Sequence, residues 1–258
     1  MNTSFADIEK KENRKDLIIS ICVFLSGFSC FAQLYYFQPL LPDLAKDFIL
    51  SASESSFAIS FSTLGMVFGL FTTMFVADRI PRKKMIGTGL LSSSIFSVAA
   101  SFSPTFLPLI LLSAAKGFLL SGATSVSMAY IAEEVSSRNK GKIMGLYIAG
   151  NALGGMAGRV ISSWIGALYT WRIASVSIGL ICALFAILFL LFSPRSTNFM
   201  PRKESFHTLI IANLQLITSK ALIPFYLTGG LILGVFVSLY NYLGFYLTKA
   251  PFNFPEHY

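Results

Sequence analysis

Lys116 and Arg159 stand inside long runs of Leu, Ile, Phe, Ala and Gly. A charge at the centre of a lipid bilayer costs about 2.5–3.5 kcal/mol on insertion scales, so an embedded one usually faces a cavity. Ser113, Lys116, Thr124 and Ser127 fall within roughly an 80° arc of one helix. Such a lysine would meet a solute, water or a proton-linked group; the alternative is a lysine held by backbone carbonyls for packing. In an earlier apolar run, Ser26, Ser29, Cys30, Gln33 and Tyr36 share an arc of about 120°. A polar stripe on a Phe- and Leu-rich helix should face protein or water rather than lipid. Isolated serines often only bond their own backbone, so the stripe carries more weight than any one member. Arg159 either snorkels to headgroups or braces a gate. The apolar runs hold no Asp or Glu, so a proton-carrying carboxylate lies either beyond this chain or at Asp43, at the membrane edge.

Other chemistries find no support. Cys22, Cys30 and Cys182 lie in apolar runs without CxxC or Cys/His spacing, which predicts buried free thiols and neither disulfide nor metal site. HExxH and GxSxG are absent, and His207 and His257 lie outside the apolar runs, so no intramembrane enzyme and no cofactor is expected. A retinal pump needs a lysine in its last span, and 221–247 holds none. The net charge of +8 would suit nucleic acid only if the bases were gathered on one face or in one tail, and they are spaced in clusters instead.

The elements that position these residues are membrane helices. The chain is 54% hydrophobic and 12% charged over 258 residues, far below the roughly 25% charge of a soluble domain. A helix needs about 20 mostly apolar residues to cross the bilayer. Seven stretches qualify: 17–41, 55–77, 85–104, 106–132, 143–168, 173–193 and 221–247. Pro42, Pro81, Pro104 and Pro194 punctuate them. Continuous rather than alternating apolar runs exclude a β-barrel.

Lys and Arg set the direction. With the N-terminus inside, Lys10, Lys11, Arg14 and Lys15, then Arg79, Arg82, Lys83 and Lys84, then Arg138, Lys140 and Lys142, then Arg195, Arg202, Lys203 and Lys220 are cytoplasmic. Only Lys46, Arg172 and Lys249 fall outside. Three units follow: a six-helix block over 1–193, a cytoplasmic loop over 194–220, and a seventh span with its tail over 221–258. Part of the loop, SFHTLIIANLQLITS, either lies along the membrane surface or is a solvated linker.

Three motifs sit at fixed places. Asp78-Arg79-Ile80-Pro81-Arg82-Lys83-Lys84 follows the second span, Glu133, Glu134, Arg138 and Gly141 follow the fourth, and Gly150, Gly154 and Gly158, then Ser162, recur every four residues in the fifth. Small residues at that interval let a neighbouring helix backbone approach closely. The first motif resembles the signature of the major facilitator superfamily between its second and third helices. Asp78, Arg79, Arg82 and Lys83 match it, with Met74 and Pro81 where that pattern has glycine. Gly150-Asn151-Ala152-Leu153-Gly154-Gly155 is similar to the family's antiporter motif, with Asn151 in place of proline. Together with Trp171-Arg172 at the sixth span, the order of these elements resembles the YnfM-type group of bacterial inner-membrane efflux permeases.

The resemblance implies an all-α major facilitator fold, here the first six helices plus a seventh. It implies a secondary transporter of small organic molecules such as drugs, sugars or metabolites, with efflux coupled to protons, in the bacterial inner membrane. Lipid, substrate and proton are the implied partners. It places Ser26, Gln33, Tyr36, Lys116, Thr124 and Asn151 along the pathway, since the first and fourth helices flank the family's central cavity. Related antiporters carry arginine where Ser113 stands, and Lys116 supplies a charge one turn along. It makes Asp78, Arg79, Arg82, Lys83, Glu133, Glu134 and Arg138 a conformational-switch loop in which an acid pairs with Arg82, and Gly150, Gly154, Gly155 and Gly158 a packing surface. The family's second six-helix half is missing, so a truncated, inactive remnant is the competing expectation; a seven-helix receptor would have no use for these motifs. The orientation is testable: alkaline phosphatase fused after Tyr258 is expected to be active and the same enzyme fused at Lys203 silent, and the reverse pattern would overturn the topology.

Overall fold

The computed structural model describes residues 5–201 and 206–247. Arg202, Lys203, Lys249, His257 and the tail 248–258, all used in the sequence reading, lie outside the described residues, as does the His207 side chain. Among the described residues the chain is helical throughout, with no strand. The helices are α1 Phe5–Tyr35, α2 Leu41–Asp47, α3 Ala52–Ser55, α4 Phe57–Val76, α5 Arg82–Ser101, α6 Phe106–Glu134, α7 Lys140–Leu168, α8 Trp171–Phe192, α9 Phe206–Ile217 and α10 Ile223–Leu247.

Local chemistry sets the breaks. Gln38–Leu40 tightens into a 3-10 turn with Pro39 near its start, and Pro42 opens α2, where a missing N–H does no harm. Ser51 and Glu54 form a reciprocal capping box on α3: the Ser51 Oγ accepts from the Glu54 N–H at 3.2 Å, and the Glu54 carboxylate accepts from the Ser51 N–H at 2.8 Å. Pro81 precedes α5, and Thr170 caps α8 by accepting from the Ile173 N–H.

By length and composition, five segments are apolar enough to cross a membrane: Glu9–Asp47, Ala52–Arg79, Phe106–Glu134, Trp171–Phe192 and Ile223–Leu247. The other two expected spans form helices α5 and α7, of 20 and 29 residues, but their composition dilutes the signal. The first turn of α5 is Arg82-Lys83-Lys84, and α7 carries Asn151, Arg159 and a series of glycines. Their polar and small residues turn inward: Ser93, Ser94, Ser97 and Ser162 are fully buried. Phe68, Val160, Trp164 and Leu191 point outward, the distribution suited to lipid.

Helix α4 packs on α6, α5 on α6 and α8, and α1 on α7 and α8. One apolar core, with Ile19, Val23, Ile86, Tyr130 and Phe189, lies toward the end that carries the Arg82 motif, the basic end. A second, with Tyr36, Phe37, Leu44, Leu109 and Trp171, fills the opposite end. Helix α10 stands apart, with none of its most apolar window buried; it meets the rest mainly at the Gln38–Leu40 turn and α2.

The α1–α7 contact runs in step with the glycine repeat. A methyl group on Gly150 would come within 2.6 Å of the Phe24 carbonyl oxygen, and one on Gly158 within 2.7 Å of the Ala32 Cα. One on Gly154 would strike the Phe28 backbone. Ser162 continues the row, its hydroxyl donating to the Tyr36 carbonyl at 2.8 Å. Gly155 is different: its added methyl would meet Arg159 and Tyr35 at 3.4 and 3.5 Å, ordinary contact distances. A second close contact, which sequence periodicity did not reveal, sets Gly65 of α4 on the Ala114 backbone and Gly117 of α6 on the Ser62 backbone. Gly154→Ala is therefore expected to lower stability by about 1–3 kcal/mol through overpacking, while Gly155→Ala stays near wild type. Thermal melts in detergent check this, and equal effects would refute the register.

Candidate functional site

At the basic end, Arg82 is the centre of an ionic clasp. Its side chain is 9% exposed. Its Nη2 donates to Asp78 Oδ1 and to Glu133 Oε1, both at 3.0 Å, its Nε donates to Glu133 at 3.2 Å, and its Nη1 donates to the Ala77 carbonyl at 2.6 Å. The guanidinium also lies 4.8 Å from the Phe199 ring. Burial disfavours its charge, but the hydrogen bonds and charges of Glu133 and Asp78 outweigh that and raise its pKa. One side chain thus ties the α4–α5 turn to the end of α6.

Neighbouring pairs extend the clasp. Glu134 accepts from Lys15 of α1 and from Thr197, both at 2.8 Å, and from the Asn198 N–H at 2.7 Å. Asp16 accepts from Ser136 and Asn139. Lys83 donates to the Ser193 carbonyl. Arg79 is exposed, and Arg138 reaches Glu9 at 3.4 Å with both side chains largely in solvent, a geometry worth little. The Lys15 and Asp16 contacts escaped the sequence reading, which counted Lys15 only among the cytoplasmic bases.

The residues assigned to one pathway separate into two groups. Gln33, Tyr36, Ser113 and Lys116 are fully buried inside the bundle. The Lys116 ammonium stands 4.5 Å from the Tyr36 ring centroid and 4.9 Å from that of Phe37. Among the described residues it has no hydrogen-bond partner, nor have Ser113 Oγ, Ser29 Oγ and Gln33 Nε2. The Gln33 oxygen accepts from Ser97 at 3.2 Å, and the Tyr36 hydroxyl pairs with Ser175 at 2.9 Å. Ser26, Thr124 and Ser127 bond to carbonyls of their own helices. The helical wheel carries no information on what each arc abuts.

Asn151 belongs elsewhere. With Phe31, Tyr35, Gly155, Arg159, Phe236 and Tyr240 it lines a cavity of about 580 Å³ between α1, α7 and α10. Arg159 donates from Nε to the Gln38 side-chain oxygen and from Nη1 to the Gly155 carbonyl, and its guanidinium lies 4.5 Å from the Tyr35 ring and 4.6 Å from the Tyr240 ring. Gln38 in turn donates to Asn241 at 2.9 Å. The sequence marked Arg159 but not this setting, whose partners lie some 80 or 120 positions away along the chain.

Magnitudes decide what Lys116 does to stability. Desolvating an ammonium ion costs several kcal/mol, and two ring faces return about 2 kcal/mol or more. With no hydrogen bond to close the gap, Lys116→Met, which keeps the stem, is expected to fold and to melt at or above the wild-type temperature. A fall of several degrees would show that the ammonium stabilises the bundle.

The chain matches the family description Major Facilitator Superfamily over residues 20–255. It is 35% identical over 245 residues to an uncharacterized transporter of Buchnera aphidicola subsp. Schizaphis graminum, covering 95% of this chain and 59% of that protein. It is 35% identical over 236 residues to the inner membrane transport protein YnfM of Escherichia coli (strain K12), covering 91% and 56%. The niacin transporter NiaP of Acinetobacter baylyi is 27% identical over 141 residues, covering 55% and 32%. The chain thus spans less than three-fifths of the length of these relatives. Its match over residues 20–255, carried on a bundle of membrane-crossing helices, shows that the chain belongs to the Major Facilitator Superfamily, a family of transporters rather than enzymes.

Proposed function

We propose that this chain forms one wall of a secondary active transporter that moves small organic molecules out of a bacterial cell in exchange for protons, with its basic end in the cytoplasm. The observation that carries this reading is the Arg82 clasp, which joins the α4–α5 turn, α5 and α6 at the basic end. A lock of this kind closes its side while the bundle pivots, and its release lets the same helices part; two such states are what alternating access requires. A relative named as a niacin transporter supports the substrate class. The apolar runs 17–41, 55–77, 85–104, 106–132, 143–168, 173–193 and 221–247 hold no carboxylate, so we assign the coupling charge to Lys116, which faces the Tyr36 and Phe37 rings. The helices that oppose this wall correspond to the part of the longer relatives that the chain does not match.

One experiment tests this reading. The chain alone should leave an efflux-deficient strain as sensitive to dyes and drugs as before. Joined to the C-terminal portion of YnfM, it should drive proton-dependent export, which Lys116→Met abolishes and Lys116→Arg partly retains. A joined protein that reaches the membrane in full amount but exports nothing would overturn the reading, and normal export by Lys116→Met would remove Lys116 from the coupling site.

A further inference from the structure

We infer that the cavity between α1, α7 and α10 is a binding site for the carboxylate of an amphipathic organic monoanion, read by Arg159. This deepens the transporter reading by naming a substrate class for a site that the family resemblance does not assign.

The charge comes first. Arg159 is half-buried and no acidic residue lines its cavity. Tyr35, Tyr240 and Phe236 face the guanidinium at 4.5, 4.6 and 5.6 Å. Ring faces hold a cation in place without neutralising it, so the site keeps a positive charge in a partly desolvated setting, where an anion is the complement.

The donor count then narrows the ligand. The Nε is taken by Gln38 and one Nη1 bond by Gly155, while Nη2 is buried with no partner. Of the five guanidinium N–H groups, the second on Nη1 and both on Nη2 are left, enough for the two oxygens of one carboxylate. The other polar groups of the lining are the Asn151 amide and the Tyr35 and Tyr240 hydroxyls, and the lining holds no second cation, so the site matches one negative charge rather than the two of a phosphate dianion.

The walls fix the rest of the molecule. Phe31, Tyr35, Ile148, Met156, Leu233 and Phe236 make the lining mostly apolar and aromatic, around a volume of about 580 Å³. That lies within the range of small-molecule sites, roughly 300–1,000 Å³. The methyl-free surface of Gly155 keeps the floor in front of Arg159 open. Tyr240 belongs to α10, none of whose most apolar window is buried, and its ring faces the guanidinium at 4.6 Å.

The test uses the whole 258-residue chain in phosphatidylcholine nanodiscs, with benzoate as the probe and calorimetry as the readout. Benzoate should bind saturably, and benzamide, the same shape without the charge, at least tenfold more weakly. Arg159→Gln should weaken benzoate at least tenfold, and Arg159→Lys should fall between. No saturable benzoate binding, equal binding of benzamide, or an unchanged affinity in a folded Arg159→Gln protein would overturn the assignment. The benzoate–benzamide contrast on the unmodified chain keeps the test decisive should that variant fail to fold. Repeating it with phosphatidylglycerol in the discs separates the two sources of an anion: unchanged benzoate affinity supports a solute site, while competitive loss assigns Arg159 to lipid headgroups and overturns the solute site. Because binding is read without transport, failure of export by the joined protein leaves this result intact.

Discussion

Lipid offers a polar group nothing to bond to, and this constraint orders the whole chain. Helices satisfy their own backbone, and the serines of α4, α5 and α6 mostly return their hydroxyls to carbonyls one turn back. Lipid also supplies no hydrophobic drive between helices, so the bundle gains its cohesion from close backbone approach. Gly150, Gly154 and Gly158 give α1 that approach, and Gly65 and Gly117 give it to α4 and α6. Charges are pushed to the helix ends, where water or a fixed partner receives them.

The ends are consequently unlike. At one, Arg82 with Asp78 and Glu133, Glu134 with Lys15 and Asn198, and Asp16 with Ser136 and Asn139 draw together α1, the α4–α5 turn, the end of α6 and the chain after α8. At the other, Trp171 and Arg172 both donate to Asp47 of α2, at 2.9 and 2.6 Å. The two interior cations, Lys116 and Arg159, are held by aromatic rings, with no carboxylate partner for either among the described residues. These two features, the tied basic end and the two interior cations, are the ones on which the proposed transport reading rests.

Much of this was legible in the sequence because the constraint acts locally. Runs of apolar residues gave the span positions, and prolines 42, 81 and 104 marked breaks that the helices observe. The four-residue glycine repeat gave a face, and the motif resemblance brought Arg82 toward an acid after the fourth helix. What stayed hidden needed knowledge of neighbours. Gly155 looked like part of the packing row, but lies one step, about 100°, off it. Lys116 shared an arc with Thr124, yet one is sealed within the bundle and the other is half-buried. The Arg159 cage joins residues from α1, α7 and α10 that no local pattern connects.

The central claim is that the Arg82–Glu133 pair is the tie that closes one end of the bundle. A double-mutant cycle measures it directly, using Arg82→Gln, Glu133→Gln and both together in reversible unfolding of the intact chain in detergent. Groups in contact with such limited exposure should couple, and about 1 kcal/mol or more of interaction energy is predicted. Additivity within about 0.5 kcal/mol would show that the two residues stabilise the bundle independently and would contradict the account.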